Sequence, residues 1–133
     1  MKYLLDTHVW LWTVLADARV SRAVRRTLAG LPAKQRVGIA SISLKEAAWH
    51  LARGRVVVVG MPWPEWLRQA ARAPQLEILP LTVEVAIASE AFGLGFPADP
   101  ADRIIAATAK IGGLTLITAD RPIRASGEVA TLW

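Results

Sequence analysis

Along this chain, short apolar runs alternate with longer segments whose apolar residues recur at helical spacing. Residues 2–5 form a brief apolar run that reads as a buried strand. Asp6 or Thr7 then caps a predicted helix from His8 to about Leu15, with Val9, Trp12 and Leu15 on its apolar side. Ser21 caps a second helix to Leu28, broken by Gly30 and Pro32. Residues 37–41 read as a second strand. Ser43 stands three residues before Glu46, the capping-box spacing, and the helix so predicted runs to about Arg53, where Gly54 ends it. Residues 55–59 are β-branched and read as either a strand or a fixed loop. Further helices are predicted over 63–71, from a Thr82 cap through Phe92, and from Asp99-Pro-Ala-Asp102 through Ile111 to the stop at Gly112-Gly113. Residues 76–79, 114–117 and 129–132 supply the remaining strands.

Short strands alternating with helices predict an α/β fold: a mainly parallel sheet with helices on both faces. A chain of 133 residues fits one domain, 1–133, without a second core. At 53% hydrophobic and 20% charged residues it is too apolar for a disordered chain. There is no cysteine, which excludes disulfides, thiolate zinc sites and cysteine nucleophiles, and two histidines exclude a histidine-rich metal site. The opening residues resemble a signal peptide for about five positions before Asp6 interrupts them. No apolar run approaches the ~18–20 residues that span a bilayer, so the chain reads as soluble and cytoplasmic, with no membrane partner. The formal charge of +5 is compatible with a phosphate-bearing partner and does not establish one.

The candidate chemistry is acidic. Asp6 and Asp120 directly follow predicted strands; Glu46 lies early in the helix after the second strand; Asp99 and Asp102 open another helix. In a parallel sheet all five reach the same edge, outside the carboxyl ends of the strands, where ligands gather. Carboxylates so clustered repel one another and lose solvation. A hard divalent cation such as Mg²⁺ removes that conflict, taking oxygen ligands while keeping several waters. Each acid also has a plain structural reading. Asp6 and Asp99 suit helix caps, Glu46 a capping box, Asp102 the third position of a helix start, and Asp120 a turn in Asp-Arg-Pro.

The ordered set LLDTHVWLW (4–12), SISLKEAAW (41–49), DPADRIIAATA (99–109) and LITAD (116–120) closely resembles the PIN-domain ribonucleases, particularly the VapC-type toxins of toxin–antitoxin pairs, over essentially the whole chain. The resemblance implies a PIN-like three-layer α/β/α fold. It implies an acidic quartet at Asp6, Glu46, Asp102 and Asp120 that binds Mg²⁺ or Mn²⁺, with Asp99 as an auxiliary acid. It further implies endonucleolytic hydrolysis of RNA by a metal-activated water, and silencing by a cognate VapB-type antitoxin. That antitoxin is expected across a groove of the early helices, inserting an Arg or an acidic residue near the site. The toxin is expected to be a homodimer, and a heterotetramer or larger assembly with its antitoxin.

Around the quartet, Thr118 is a candidate for orienting Asp6, Asp120 or a metal-bound water; its plain reading is a β-prone residue beside a turn. Thr7 reads as a helix-start residue. Arg103, beside Asp102, is a candidate to contact substrate or pair with the acids, and Arg121 and His8 are further candidate substrate contacts. Arg19, Arg22, Arg25, Arg26, Lys34 and Arg36 form a basic stretch that suits either RNA phosphates or a solvated helix face. Of the six tryptophans, Trp10, Trp12 and Trp49 read as packing residues. Trp63 and Trp66 read as candidates for a protein partner, and the scatter of the set argues against a base-stacking platform. Two other readings stay open: a PIN-fold module that binds RNA or protein with little turnover, and a metal-dependent phosphohydrolase acting on DNA or small phosphoesters.

Overall fold

Alternation of side chains within each strand decides how this chain packs. The computed structural model describes residues 1–133. The first strand, β1 (Tyr3–Leu5), sends Leu4 to one face and Leu5 to the other, and both are buried. In β2 (Val37–Ala40), Ile39 joins Leu5 and Ala40 joins Leu4; in β4 (Thr115–Ile117), Ile117 and Leu116 divide the same way. With β3 (Leu76–Leu79) and β5 (Thr131–Leu132), these strands form a sheet in the order β3-β2-β1-β4-β5, and every ladder is parallel.

A sheet buried on both faces needs helices on both faces. Helices α1 (Thr7–Val14), α2 (Arg22–Ala29), α3 (Ile42–Ala52) and α4 (Trp63–Ala71) supply Val9, Trp10, Leu11, Val24, Ala47 and Ala70 to the core on the Leu5 side. On the Leu4 side, α5 (Val83–Glu90), α6 (Pro100–Gly112) and α7 (Arg121–Ser126) supply Val85, Ile105, Ala106, Ala109 and Ile123. The small residues of α6 allow it to pack closely against α5. The result is a three-layer α/β/α fold with a short parallel sheet. No helix is long and apolar enough to cross a membrane.

Most elements fall where the periodicity predicts, and the departures have local causes. Ser43 does not cap α3. The cap position is Ser41, without a side-chain cap bond, and Ser43 is buried inside the first turn. Residues 55–59 pair with no strand, and Val57 and Val59 are largely exposed. Helix α5 stops at Glu90, short of Phe92. Asp120-Arg-Pro opens α7 rather than a simple turn: Asp120 accepts from the Ile123 amide, and Gly127, at φ 70°, closes the helix. Gly113 ends α6 in the same left-handed conformation, at φ 63°, which costs glycine nothing sterically.

The strand order reverses at β1. Its neighbours β2 and β4 leave the sheet toward opposite layers, which opens a crevice beyond the carboxyl ends of the central strands.

Candidate active site

Into that crevice the chain projects acids from four places. Asp6 caps α1 at the end of β1, Glu46 stands in α3, Asp99 and Asp102 open α6, and Asp120 caps α7 after β4. All five line one cavity of about 820 Å³, together with His8, Trp12, Lys45, Trp49 and His50.

The capping and clustering roles of these acids prove compatible. Asp6 Oδ1 accepts from the Thr7 amide at 2.7 Å, Asp99 Oδ1 from the Ala101 amide at 2.8 Å, and Asp120 Oδ1 from the Ile123 amide at 2.9 Å. One oxygen of each carboxylate thus fixes a helix start; the other oxygens of Asp99 and Asp120 accept no hydrogen bond from the protein, and that of Asp6 is held by a threonine. Two hydroxyls organise the rest. Thr118, fully buried, donates to Asp6 Oδ2 at 2.7 Å and accepts the Asp120 amide at 3.1 Å. Thr7 Oγ1 lies 2.6 Å from Glu46 Oε1 and 2.8 Å from Ser43 Oγ. Its single proton goes to the carboxylate, so Ser43 donates to Thr7. The backbone is equally fixed, because the Asp6 amide continues the β1–β4 ladder by donating to the Ile117 carbonyl at 3.0 Å.

Charge repulsion is visible in the proton affinities. Burial, then the charges of Asp99, Asp6, Asp120 and Glu46, push Asp102 up to about 7. Its carboxyl accepts no hydrogen bond from the protein that would offset this. Burial also raises Asp6, against the lowering influence of Thr118, and raises Glu46, where Thr7 opposes it. None of these acids forms an ion pair; the three salt bridges lie elsewhere, at Arg19–Asp17, Arg68–Glu65 and Lys110–Glu128.

Oxygen donors with excess negative charge and no cationic partner suit a hard divalent cation. No three acidic or histidine side chains converge as a ready-made metal cage. An octahedral ion that retains waters does not require one, since several carboxylates can act through those waters.

The candidate substrate contacts divide. His8 is exposed and lines the cavity. Arg121 is exposed beside Asp120 but stands outside the lining. Arg103 turns away from the carboxylates: its guanidinium donates to the carbonyls of Pro97 at 2.8 Å, Ser89 at 3.3 Å and Phe96 at 3.4 Å. Three carbonyls at a buried corner supply a more local set of acceptors than the acids do. Arg19, Arg22, Arg25, Arg26, Lys34 and Arg36 are all exposed and line no part of the cavity.

Sequence reasoning passed over Lys45 and His50, and assigned Trp12 and Trp49 to packing. Helical spacing carried the signal, for Trp49 and His50 stand three and four residues beyond Glu46 and share its side of α3. Burial, then the nearby charges of His8 and Arg55, push the His50 imidazolium below its usual range.

Comparison with known proteins bears on this geometry. The family model described as PIN domain matches residues 3–128. Ribonuclease VapC22 of Mycobacterium tuberculosis is 36% identical over 121 residues, 91% of this chain and 88% of that protein. Among solved structures, VapBC2 from Rickettsia felis, bound to a DNA fragment from its promoter, superposes with a TM-score of 0.72 at 16% identity, covering 99% of this chain and 98% of that one. DNA-bound VapBC from Salmonella typhimurium gives a TM-score of 0.72 at 21% identity, covering 99% and 97%. These two likenesses speak for the fold, and the match over residues 3–128 with the identity to VapC22 speaks for descent. The chain therefore belongs to the PIN-domain family and is of its VapC type.

Proposed function

We infer that this protein is a metal-dependent endoribonuclease and the toxin of a toxin–antitoxin pair. One observation carries the reading: five carboxylates line a single cavity at the carboxyl edge of the sheet with no basic side chain paired to them. Its membership of the VapC type, with a relative named as a ribonuclease, supports RNA as the substrate. The solved VapBC complexes support a VapB-type antitoxin as partner; a toxin homodimer, joined with that antitoxin in a heterotetramer or larger assembly, belongs to the same proposal. The whole span 1–133 acts as one nuclease unit.

Asp6, Glu46, Asp102 and Asp120 hold Mg²⁺ or Mn²⁺ directly or through its waters, and Asp99 adds negative charge beside them. When bound, such an ion activates water for attack on phosphorus and neutralises charge on the phosphodiester oxygens. The protein's own part is positioning. Thr118 and the Asp6 amide fix the Asp6 carboxylate, and Ser43 and Thr7 fix Glu46. Asp102, pushed up to about 7, exchanges its proton near neutrality. The buried sheet edge beneath keeps bulk water from the inner side of the site.

The reading is tested by incubating purified, antitoxin-free protein with a mixed cellular RNA pool and Mg²⁺ or Mn²⁺, beside Asp6→Asn. Discrete products that need metal and vanish with EDTA and in the variant are expected. Folded, monodisperse protein that cuts no RNA with either metal would move the binding-module reading ahead. Cleavage confined to DNA or small phosphoesters would replace the substrate class.

A further inference from the structure

Two helices lead outward from the carboxylates, and each carries aromatic rings along the way. On α1, His8 and Trp12 stand one helical turn apart, beyond the Asp6 cap. On α3, Trp49, His50 and Arg53 follow Glu46 at three, four and seven residues. The helices pack against each other, so the rings form one wall. His8 and His50 have centroids 4.7 Å apart, His8 and Trp12 5.7 Å, and Trp49 and His50 5.1 Å, edge to face. All four line the same cavity as the acids; His8 is exposed and the others half-buried.

The wall is prearranged. Trp12 is held from behind by Trp133, at 6.1 Å, and by the Arg19 guanidinium, 4.8 Å from its ring. Arg19 itself is committed to Asp17 through two bonds of 3.0 and 2.8 Å, so it brings packing and no spare charge. Trp49 holds two more guanidinium groups, those of Arg53 at 4.4 Å and Arg55 at 4.6 Å. Both arginines are exposed and neither has a carboxylate partner. Two unneutralised guanidinium groups, both against the Trp49 ring, therefore stand beyond a row of rings in which His8 is exposed and the others are half-buried. Seven residues of helix separate Glu46 from Arg53, about 10 Å along the axis.

We propose that this wall is a substrate subsite for single-stranded RNA leaving the carboxylate site: Arg53 and Arg55 bind a phosphate flanking the cleaved bond, and His8 and Trp12 stack its neighbouring base. Trp49 is a positioning residue that holds the two guanidinium groups together. The substrate class rests on the nuclease reading above. An exposed imidazole and half-buried rings beside arginines without carboxylate partners match how single strands are bound, with stacking tolerant of base identity and charge tracking the backbone. The acidic cavity alone repels a polyanion, and Lys45 is the only lysine or arginine on its lining. The wall supplies attraction at the end where the strand must emerge.

The test is binding of a fluorescein-labelled single-stranded RNA oligonucleotide to the full chain in EDTA, read by anisotropy across a salt series. Arg53→Gln with Arg55→Gln, both at exposed positions, should weaken binding and flatten the plot of log K against log salt by about 0.7 for each phosphate no longer neutralised. His8→Ala and Trp12→Leu should each weaken binding on the order of 10-fold with the salt slope unchanged, as expected for stacking. Trp49→Phe, which keeps a ring for the guanidinium groups, should bind more tightly than Trp49→Leu. The subsite is overturned if the arginine double variant, folded by circular dichroism, binds RNA with wild-type affinity and slope. It is equally overturned if the variants lose only the antitoxin and keep RNA, which makes the wall a protein interface. Because the readout is binding without cleavage, the two readings separate. A chain that binds as described yet cuts no RNA keeps the subsite, and one that cuts RNA while every variant binds normally keeps only the nuclease.

Discussion

The Thr118 hydroxyl donates to Asp6 Oδ2 at 2.7 Å, joining residues 112 apart in sequence at the end of neighbouring strands. Thr118 Oγ1 also accepts from the Asp120 amide, so one buried side chain fixes two of the acids assigned to the metal. Thr118→Val keeps the shape and removes the hydroxyl. Loss of such a supporting partner typically costs metal affinity or activity ~10–100-fold. Mn²⁺ titration of the folded variant should show a weakening in that range, and cleavage at saturating Mn²⁺ should recover in part. Unchanged affinity would reduce Thr118 to a packing residue.

The carboxylate cluster makes stability depend on pH in an unusual direction. Asp102 moves from an ordinary 3.8 to about 7 on folding, and Asp6 and Glu46 are raised as well. Between those values the folded chain binds a proton that the unfolded chain releases, so raising the pH favours unfolding. For Asp102 the penalty is absent below about pH 4 and grows through the window to about 7, and the raised Asp6 and Glu46 act in the same direction. Thermal melts in EDTA should show Tm falling from pH 5 to pH 8 in excess of any general trend. Added Mg²⁺ should reverse most of that fall at pH 8 and little of it at pH 5.

Asp102→Asn separates function from stability. The neutral amide cannot repel Asp99, Asp6, Asp120 or Glu46, so the metal-free variant should melt higher than the parent at pH 8 and close to it at pH 4. Cleavage should drop by at least the ~10–100-fold typical of a lost supporting partner, because one of the four acids proposed to hold the metal is gone. Melting lower at pH 8 would show that the carboxylate is not under the strain its surroundings imply.

Arg103 offers a contrasting case. Its guanidinium ties together the carbonyls of Ser89, Phe96 and Pro97 and lies 5.7 Å from the Phe96 ring centre. Arg103→Met should destabilise the fold by about 1–3 kcal/mol through carbonyls left without donors. It should leave the salt dependence of RNA binding unchanged, because the side chain meets no phosphate. A shallower salt slope in this variant would return Arg103 to the substrate.

Much of this was legible in the sequence wherever a local rule acted alone. The caps at Asp6, Ser21, Thr82 and Asp99, the β-prone run at residues 76–79 and the stop at Gly113 depend on nearest neighbours and came out as read. The five acids were legible as a group because each follows a strand or lies in the first turns of a helix, and parallel topology gathers such positions. Ser43 misled because capping-box spacing ignores tertiary competition: Thr7, from another helix, reached both Ser43 and Glu46. Helix α7 is too short for periodicity to register. The aromatic wall was hidden for another reason. Trp12 and Trp49 look scattered along the chain, and only the packing of α1 on α3 makes them neighbours of one cavity.

The strand order has a consequence in time. The first strand of the chain is the central one of the sheet, and one of its two partners, β4, is among the last elements to be made. Until residues 115–120 have left the ribosome, Asp6 lacks its anchoring carbonyl and its hydroxyl donor, and Asp120 does not yet exist at the site. A nascent chain that has not reached β4 therefore lacks a formed carboxylate site. The carboxylate site is assembled only once β4 has joined β1, however early Asp6 and Glu46 emerge.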